Sequence, residues 1–408
     1  MDKTAIFHEL DMLRHDMEED LMALISIPAI APENGGDGEG LKAQRLTQLL
    51  LEIGFDKILH YDAADQRVSS GIRPNIVAYF NDLSETKRLW IITHMDVVPS
   101  GEEAAWTVTS PFKPVLAGDR VYGRGSEDNG QSLIASIYAV KALKRLNLKP
   151  KYTVALAFVA DEEQGSALGI QFLLDKGIFK QNDLIVVPDA GNENGSFIEV
   201  AEKSILWFKL RTLGKQTHGS LPNKGLNAHR IGMQVALALD GMLHEKYTFR
   251  DYKFDVPEST FEPTKKERNV DAINVIPGED IVYFDCRIHP SYMLDEVLGD
   301  INGLLSFYEE KTGAKIVLEV LQKQASPELE AEGTEIVSLL KLAVKEARGL
   351  DATVGGIGGG SCAAFFRKVG IPAAVWSTVD EVAHQPNEYS KVQNMVEDAK
   401  VFALLAMS

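Results

Sequence analysis

The chain has 408 residues, 45% hydrophobic content and a formal net charge of −17, from 42 basic and 59 acidic residues. That length accommodates two domains with real cores, and that acidity argues against nucleic-acid or anionic-membrane partners. The two cysteines, Cys286 and Cys362, are too few and too far apart for a disulfide framework or a CxxC zinc knuckle, which suggests a reducing compartment.

In chain order, the opening stretch Met1 to Thr4 carries no basic segment leading into an apolar one, and no apolar run approaches the length of a membrane span. A cytoplasmic protein without membrane contact is expected. Ile6, Leu10, Leu13, Met17, Leu21 and Leu24 recur at helical spacing and predict an amphipathic helix ending before Pro28. His8 and His15 lie off that stripe and read as solvated. Strand-like runs at 89–93, 154–160, 184–187 and 373–379 alternate with helical stretches at about 130–146 and 333–347. This alternation predicts an α/β domain with a mostly parallel central sheet.

From residue 203 the grammar changes to strand 204–213, helix 227–247, strands 272–276 and 281–288, helix 293–312 and strand 315–320. The order βαββαβ is the split-βαβ plan of a small two-layer α+β domain, here inserted into the first. The expected boundaries are 1–202 with 324–408 for the α/β domain and 203–323 for the insert, whose only long loop covers 251–269.

Ligand-type residues gather at the strand ends. His94 closes the first run with Asp96 two residues on, Asp161-Glu162-Glu163 follows the second, Asp189 the third, and His384 comes after the fourth. Open α/β sheets build their sites beyond the carboxyl ends of the strands, so these side chains are aimed at one rim. Asp128 adds a carboxylate from the glycine-rich turn Gly123 to Gly130. Two imidazoles and several carboxylates without cysteine suit a catalytic zinc, cobalt or manganese site. Taken singly, His94 is a loop histidine and the acidic triplet a solvated turn; it is their joint placement that favours metal.

The pattern also has a chemical logic. Bulk water has a pKa of about 15.7 and an ordinary Glu about 4.3, whereas a bound metal lowers water to about 7. Two ions about 3.5 to 4 Å apart can share one carboxylate. Of the adjacent Glu162 and Glu163, one can then bind metal while the other handles the proton.

The motifs HMDVVP (94–99), GRGSEDNG (123–130), DEEQGS (161–166), PDAG (188–191), THGSLPNKGLNAH (217–229), INVIPGE (273–279), DCR (285–287) and HQPNEY (384–389) carry a resemblance that runs nearly end to end. In this order they resemble the co-catalytic zinc hydrolases that include succinyl-diaminopimelate desuccinylase, acetylornithine deacetylase, aminoacylases, carboxypeptidases and dipeptidases. The resemblance implies two divalent ions, zinc first, with cobalt or manganese as alternatives. His94, Asp128 and Asp189 would bind one ion, and Asp128, Glu163 and His384 the other. It makes Asp96 the residue that orients His94, and Glu162 the general base. It implies that His218, from an inserted lid and dimerisation domain, stabilises the oxyanion, often from the partner subunit of a homodimer. Asn274, Arg287 and the glycine-rich Gly359, Gly360 and Ser361 fall on its substrate side.

The implied activity is cleavage of the amide bond of an N-acyl amino acid, closest to succinyl-diaminopimelate desuccinylase. Acetylornithine deacetylase, carboxypeptidase or dipeptidase activity on a short peptide is the alternative within the family. Asn129, where Lys or Met is commoner, and Cys362, where many members have Asp, bear on substrate subclass. His60, His229, His244 and His289 match no ligand position. A nucleotide reading of Gly355 to Ser361 fails because that run lies too near the C-terminus for a full dinucleotide fold. A non-catalytic binding protein on the same fold would be expected to lack a ligand or the base, and the sequence keeps both.

Overall fold

Four apolar strands, Thr153–Val159, Arg88–His94, Leu184–Asn192 and Ala373–Thr378, lie side by side and parallel at the centre of an eight-stranded sheet. Such strands are covered on both faces, which is why they read as continuous apolar runs and not as alternating ones. Antiparallel strands flank them: Ile76–Phe80 and then Lys57–His60 on one side, and Phe197–Glu202 on the other. Thr353–Ile357 follows at the far edge. The computed structural model describes residues 3–81, 87–327 and 333–408; Met1 and Asp2, the start of the stretch read for a leader, lie outside them. Among the described residues no helix is long and apolar enough to cross a membrane.

The chain forms two compact units, Met1–Val200 with Glu330–Val354 and Ser361–Ser408, and Ala201–Leu329 with Gly355–Gly360. In the first, helices Ser132–Arg145 and Val392–Met407 are buried on almost every side. The expected opening helix is two, Lys3–Met12 and Arg14–Ile25, divided at Leu13. The strand expected at 184–187 continues to Asn192, so Asp189 is a strand residue itself.

In the second unit, Thr260–Lys266, Glu279–Ile288, Ser204–Leu213 and Lys315–Gln324 make an antiparallel sheet in that order. Residues of Glu279–Ile288 alternate strictly between buried and half-buried, as a sheet with one covered face requires. Phe208 and Phe284 face each other in register and stack at 5.0 Å. Apolar residues of helices Ala228–Lys246 and Leu294–Thr312 complete this core. Two expectations need correcting. Residues 260–266, expected within a loop, form an edge strand; its charged, exposed residues and Pro263 are the features by which edges resist further pairing, and they hide it from a hydrophobic pattern. Of the strand expected at 272–276 only Val275–Ile276 forms, pairing outside the main sheet with Thr217–His218.

Behind the acidic turn of the first unit lies a buried ion network. Arg73 and Glu39, both 0% exposed, pair bidentately, and Arg73 Nη1 stands 3.4 Å from Asp161 Oδ1. Glu39 also accepts the Asp161 N–H at 3.3 Å, and Asp161 Oδ2 accepts that of Leu168 at 2.9 Å. Asp161 adopts a left-handed φ of 65°. The network therefore fixes the backbone at the point where the chain turns to present Glu162 and Glu163. Removing one partner of a buried pair leaves an uncompensated charge, which costs about 3–5 kcal/mol. Arg73→Met is expected to lose stability of that order in urea denaturation, and a loss below about 1 kcal/mol would remove the network from the account of the fold.

Candidate metal centre

Parallel register pairs His94 with Val159, so the Glu162–Gln164 turn begins just beyond the level of His94. Asp189 approaches from the adjacent strand, and Asp128 from the turn Ser126–Gln131. His384, also left-handed at φ 62°, comes from the loop after Ala373–Thr378. His94 Nε2 lies 2.8 Å from Asp128 Oδ1 and 3.3 Å from Asp189 Oδ1. His384 Nε2 lies 3.0 Å from Asp128 Oδ2 and 3.3 Å from Glu163 Oε2. Each oxygen of Asp128 thus addresses a different imidazole. Donor atoms of His94, Asp128 and Glu163 fall within 4.8 Å of one another, as do those of His94, Glu162 and Asp189.

The electrostatics call for positive charge. Burial opposes a charged His94, yet the carboxylates of Asp128, Asp189 and Asp96 outweigh it and hold the imidazolium well above the ordinary histidine range. Hydrogen bonds to Asp128 and Glu163 raise His384 to about 10. Burial, and then the charge of Asp128, push Glu163 up to about 7. Burial and the charge of Asp189 lift Glu162 well above the carboxylate range. Protons here do what cations would do, and ligand binding of a metal displaces such protons. Buried Glu163 Oε1 has no hydrogen-bond partner among the described residues, an orphan that ordinarily costs about 1–3 kcal/mol. An all-N/O donor set with one doubly facing carboxylate and one orphaned oxygen fits a pair of divalent ions.

The sequence profile of Peptidase family M20/M25/M40 matches residues 90–408. The chain belongs to this family. An uncharacterized metallohydrolase of Methanocaldococcus jannaschii is 41% identical to this M20 protein over 395 residues, covering 93% of this chain and 96% of that one. A succinyl-diaminopimelate desuccinylase of Nautilia profundicola is 25% identical over 383 residues, covering 93% and 95%. In fold, the M20 chain is similar to human carnosine dipeptidase 1, with a TM-score of 0.77 at 17% identity, covering 100% of this chain and 98% of that one. It is also similar to an M20 metallo-carboxypeptidase of Sulfolobus solfataricus, with a TM-score of 0.73 at 19% identity, covering 95% and 98%. The protein is a metal-dependent hydrolase with an α/β fold built on a large, mostly parallel sheet.

Asp96 lies against His94 and also against the turn beyond it. The Nδ1 of His94 meets the backbone carbonyl of Asp96 at 3.0 Å, and the carboxylate stands off at 3.6 Å. Its two oxygens also accept the N–H groups of Glu162 and Glu163 at 3.1 and 3.0 Å. A carboxylate 1% exposed finds its strongest available donors in the turn above it. Asn129, noted only as a departure from the family pattern, donates to the Pro188 carbonyl at 2.7 Å and to Asp189 Oδ1 at 3.1 Å, and so holds a donor residue.

In the second unit, the short ribbon sets His218 opposite Val275, with Gly219 N–H donating to the Asn274 carbonyl at 2.7 Å, so His218 and Asn274 are neighbours. Arg287 stands elsewhere, on Glu279–Ile288. Its fork is filled by Asp285, with Nε–Oδ1 2.6 Å and Nη2–Oδ2 3.0 Å, and Nη1 donates to the Gly358 carbonyl at 3.0 Å. A carboxylate of this chain thus fills the bidentate face of Arg287. Gly359 and Gly360 follow that carbonyl, and in the first unit Ser361 Oγ accepts the Ala363 N–H at 3.1 Å. Sequence reasoning passes over Glu127 and Glu388, whose only sequence signal is membership of the GRGSEDNG and HQPNEY motifs.

Proposed function

We propose that this M20 hydrolase uses two divalent ions, zinc first, to cleave the amide bond of an N-acyl amino acid, in the manner of a succinyl-diaminopimelate desuccinylase. The observation that carries the reading is Asp128, whose two oxygens face His94 at 2.8 Å and His384 at 3.0 Å, as a carboxylate shared between two ions must. In this reading Asp189 completes the donors beside His94, and Glu163 those beside His384. When bound, the pair supplies Lewis acidity and lowers the pKa of a water molecule to about 7. Glu162, beside the His94 and Asp189 donors and held at its N–H by Asp96, would serve as the general base, taking a proton from the attacking water and giving it to the leaving amine.

The second unit acts as lid and dimerisation domain, with His218 assigned to the oxyanion and Asn274 to substrate. Arg287, Gly359, Gly360 and Ser361 are assigned to the substrate's carboxylate end, Arg287 by exchanging Asp285 for it. The enzyme is a cytoplasmic homodimer acting on small molecules. The desuccinylases among its relatives support the acyl-amino-acid reading. The test is a panel of N-succinyl-diaminopimelate, N-acetylornithine, other N-acyl amino acids and dipeptides, each assayed with zinc, cobalt or manganese. The highest kcat/KM is expected for the succinylated substrate. A preference for dipeptides would overturn the substrate and keep the metal chemistry, while inactivity on the whole panel would overturn the function.

A further inference from the structure

The turn that carries Asp128 and the loop that carries His384 hold each other through two buried carboxylates, neither of which belongs to the donor set. Glu388, 0% exposed, reaches back to the Asp128 turn. Its Oε1 accepts the N–H groups of Glu127 and Asp128 at 3.0 and 3.1 Å; its Oε2 accepts the N–H of Gly125 at 3.0 Å and the guanidinium of Arg124 at 2.6 Å. Glu127, 5% exposed, does the converse. Its Oε1 accepts the Asp380 N–H at 2.5 Å, and its Oε2 accepts those of Val382 and Ala383 at 2.7 and 3.0 Å, on the segment that ends at His384. The exchange is reciprocal: the residue before Asp128 fixes the approach to His384, and a residue just past His384 fixes the turn of Asp128.

We propose that Glu127 and Glu388 are positioning residues that set the spacing between Asp128 and His384, and thereby build the metal position beside His384. The inference rests on the reading of those residues as metal donors. Burying a carboxylate is costly unless its lone pairs are met, and here backbone N–H groups and one guanidinium meet them. Only a carboxylate can do this, because both oxygens of each side chain face donors. A glutamine would turn its NH2 toward an N–H or a guanidinium and push that strand of the clamp away. Catalysis tolerates little such drift, since sites work only when donors are held within about 0.5 Å. No hydrogen bond of either carboxylate goes to a donor side chain of the metal site, so their influence runs through the backbone.

Cobalt(II) is the probe. Metal-free wild type, Glu127→Gln and Glu388→Gln are titrated with Co²⁺, following binding by calorimetry and geometry by the visible absorption of the bound ion, with the melting temperature of the metal-free proteins recorded alongside. Wild type is expected to take up two ions. Each variant is expected to keep one at wild-type affinity and to bind the second roughly 10- to 100-fold more weakly, the range seen when a ligand's supporting partner is lost, with an altered spectrum. The double variant is expected to be no worse than the more affected single one, because breaking either half frees the same spacing. Two ions bound by both Gln variants with wild-type affinity and spectrum would overturn the clamp, even if their melting temperatures fell. Fewer than two ions bound by wild type would overturn the two-metal reading itself. Should Glu388→Gln fail to fold, Glu127→Gln reads the same quantity from the other side, and Glu127→Asp, which keeps the charge, is expected to recover part of the second affinity.

Discussion

Glu162→Gln is expected to lower kcat by roughly 10²- to 10⁴-fold, the contribution of a positioned general base, while the protein still binds two ions. The substitution keeps shape and hydrogen-bonding length and removes the ability to accept a proton. In the metal-free protein, burial and the charge of Asp189 hold the proton affinity of Glu162 well above that of an ordinary carboxylate. Asp96 Oδ1, accepting the Glu162 N–H at 3.1 Å, fixes where that carboxylate stands. The measurement also separates two roles, because a Glu162 oxygen lies within 4.8 Å of donor atoms of His94 and Asp189. Loss of one ion together with activity would make Glu162 a ligand, and undiminished turnover would remove it from the chemistry.

Asp128→Asn is expected to reduce metal content from two ions to at most one and to abolish measurable turnover. One oxygen survives the change, but the other becomes an NH2, which has no lone pair to offer a cation. Since one oxygen faces His94 and the other His384, either orientation of the amide spoils one position. The affinity lost there should exceed the roughly 10- to 100-fold that follows loss of a mere supporting partner. Metal analysis after exhaustive dialysis reads the stoichiometry, and two retained ions would show that Asp128 is not shared.

Most of the donors were legible in the sequence because they fall at or just beyond the end of an apolar run, and Asp128 because it stands in a glycine-rich turn. His94 closes one, Asp161-Glu162-Glu163 another, and a continuous apolar run that stops on a charged or imidazole residue is visible without any partner. What supports them was not. Arg73 and Glu39 meet across 34 positions, and Glu388 and Asp128 across 260; no local pattern records such pairs, and in the sequence each is one acidic or basic residue among many. Asp96 was found for its spacing to His94, and that spacing held no sign that the same carboxylate also holds the next turn. The alternating apolar residues of Glu279–Ile288 announced their strand, while its neighbour Thr260–Lys266, charged, exposed and interrupted by Pro263, read as loop. Thr353–Ile357, with two glycines in five residues, likewise lacked the side chains by which a strand is recognised.

The two imidazoles differ sharply in depth: the His94 side chain is 3% exposed and that of His384 55%. In the proposed two-metal reading, an ion held beside His384 is expected to exchange with solvent faster than one held beside His94. Mild chelation is then expected to strip the solvent-facing position first and to leave a half-loaded protein whose remaining ion sits beside His94.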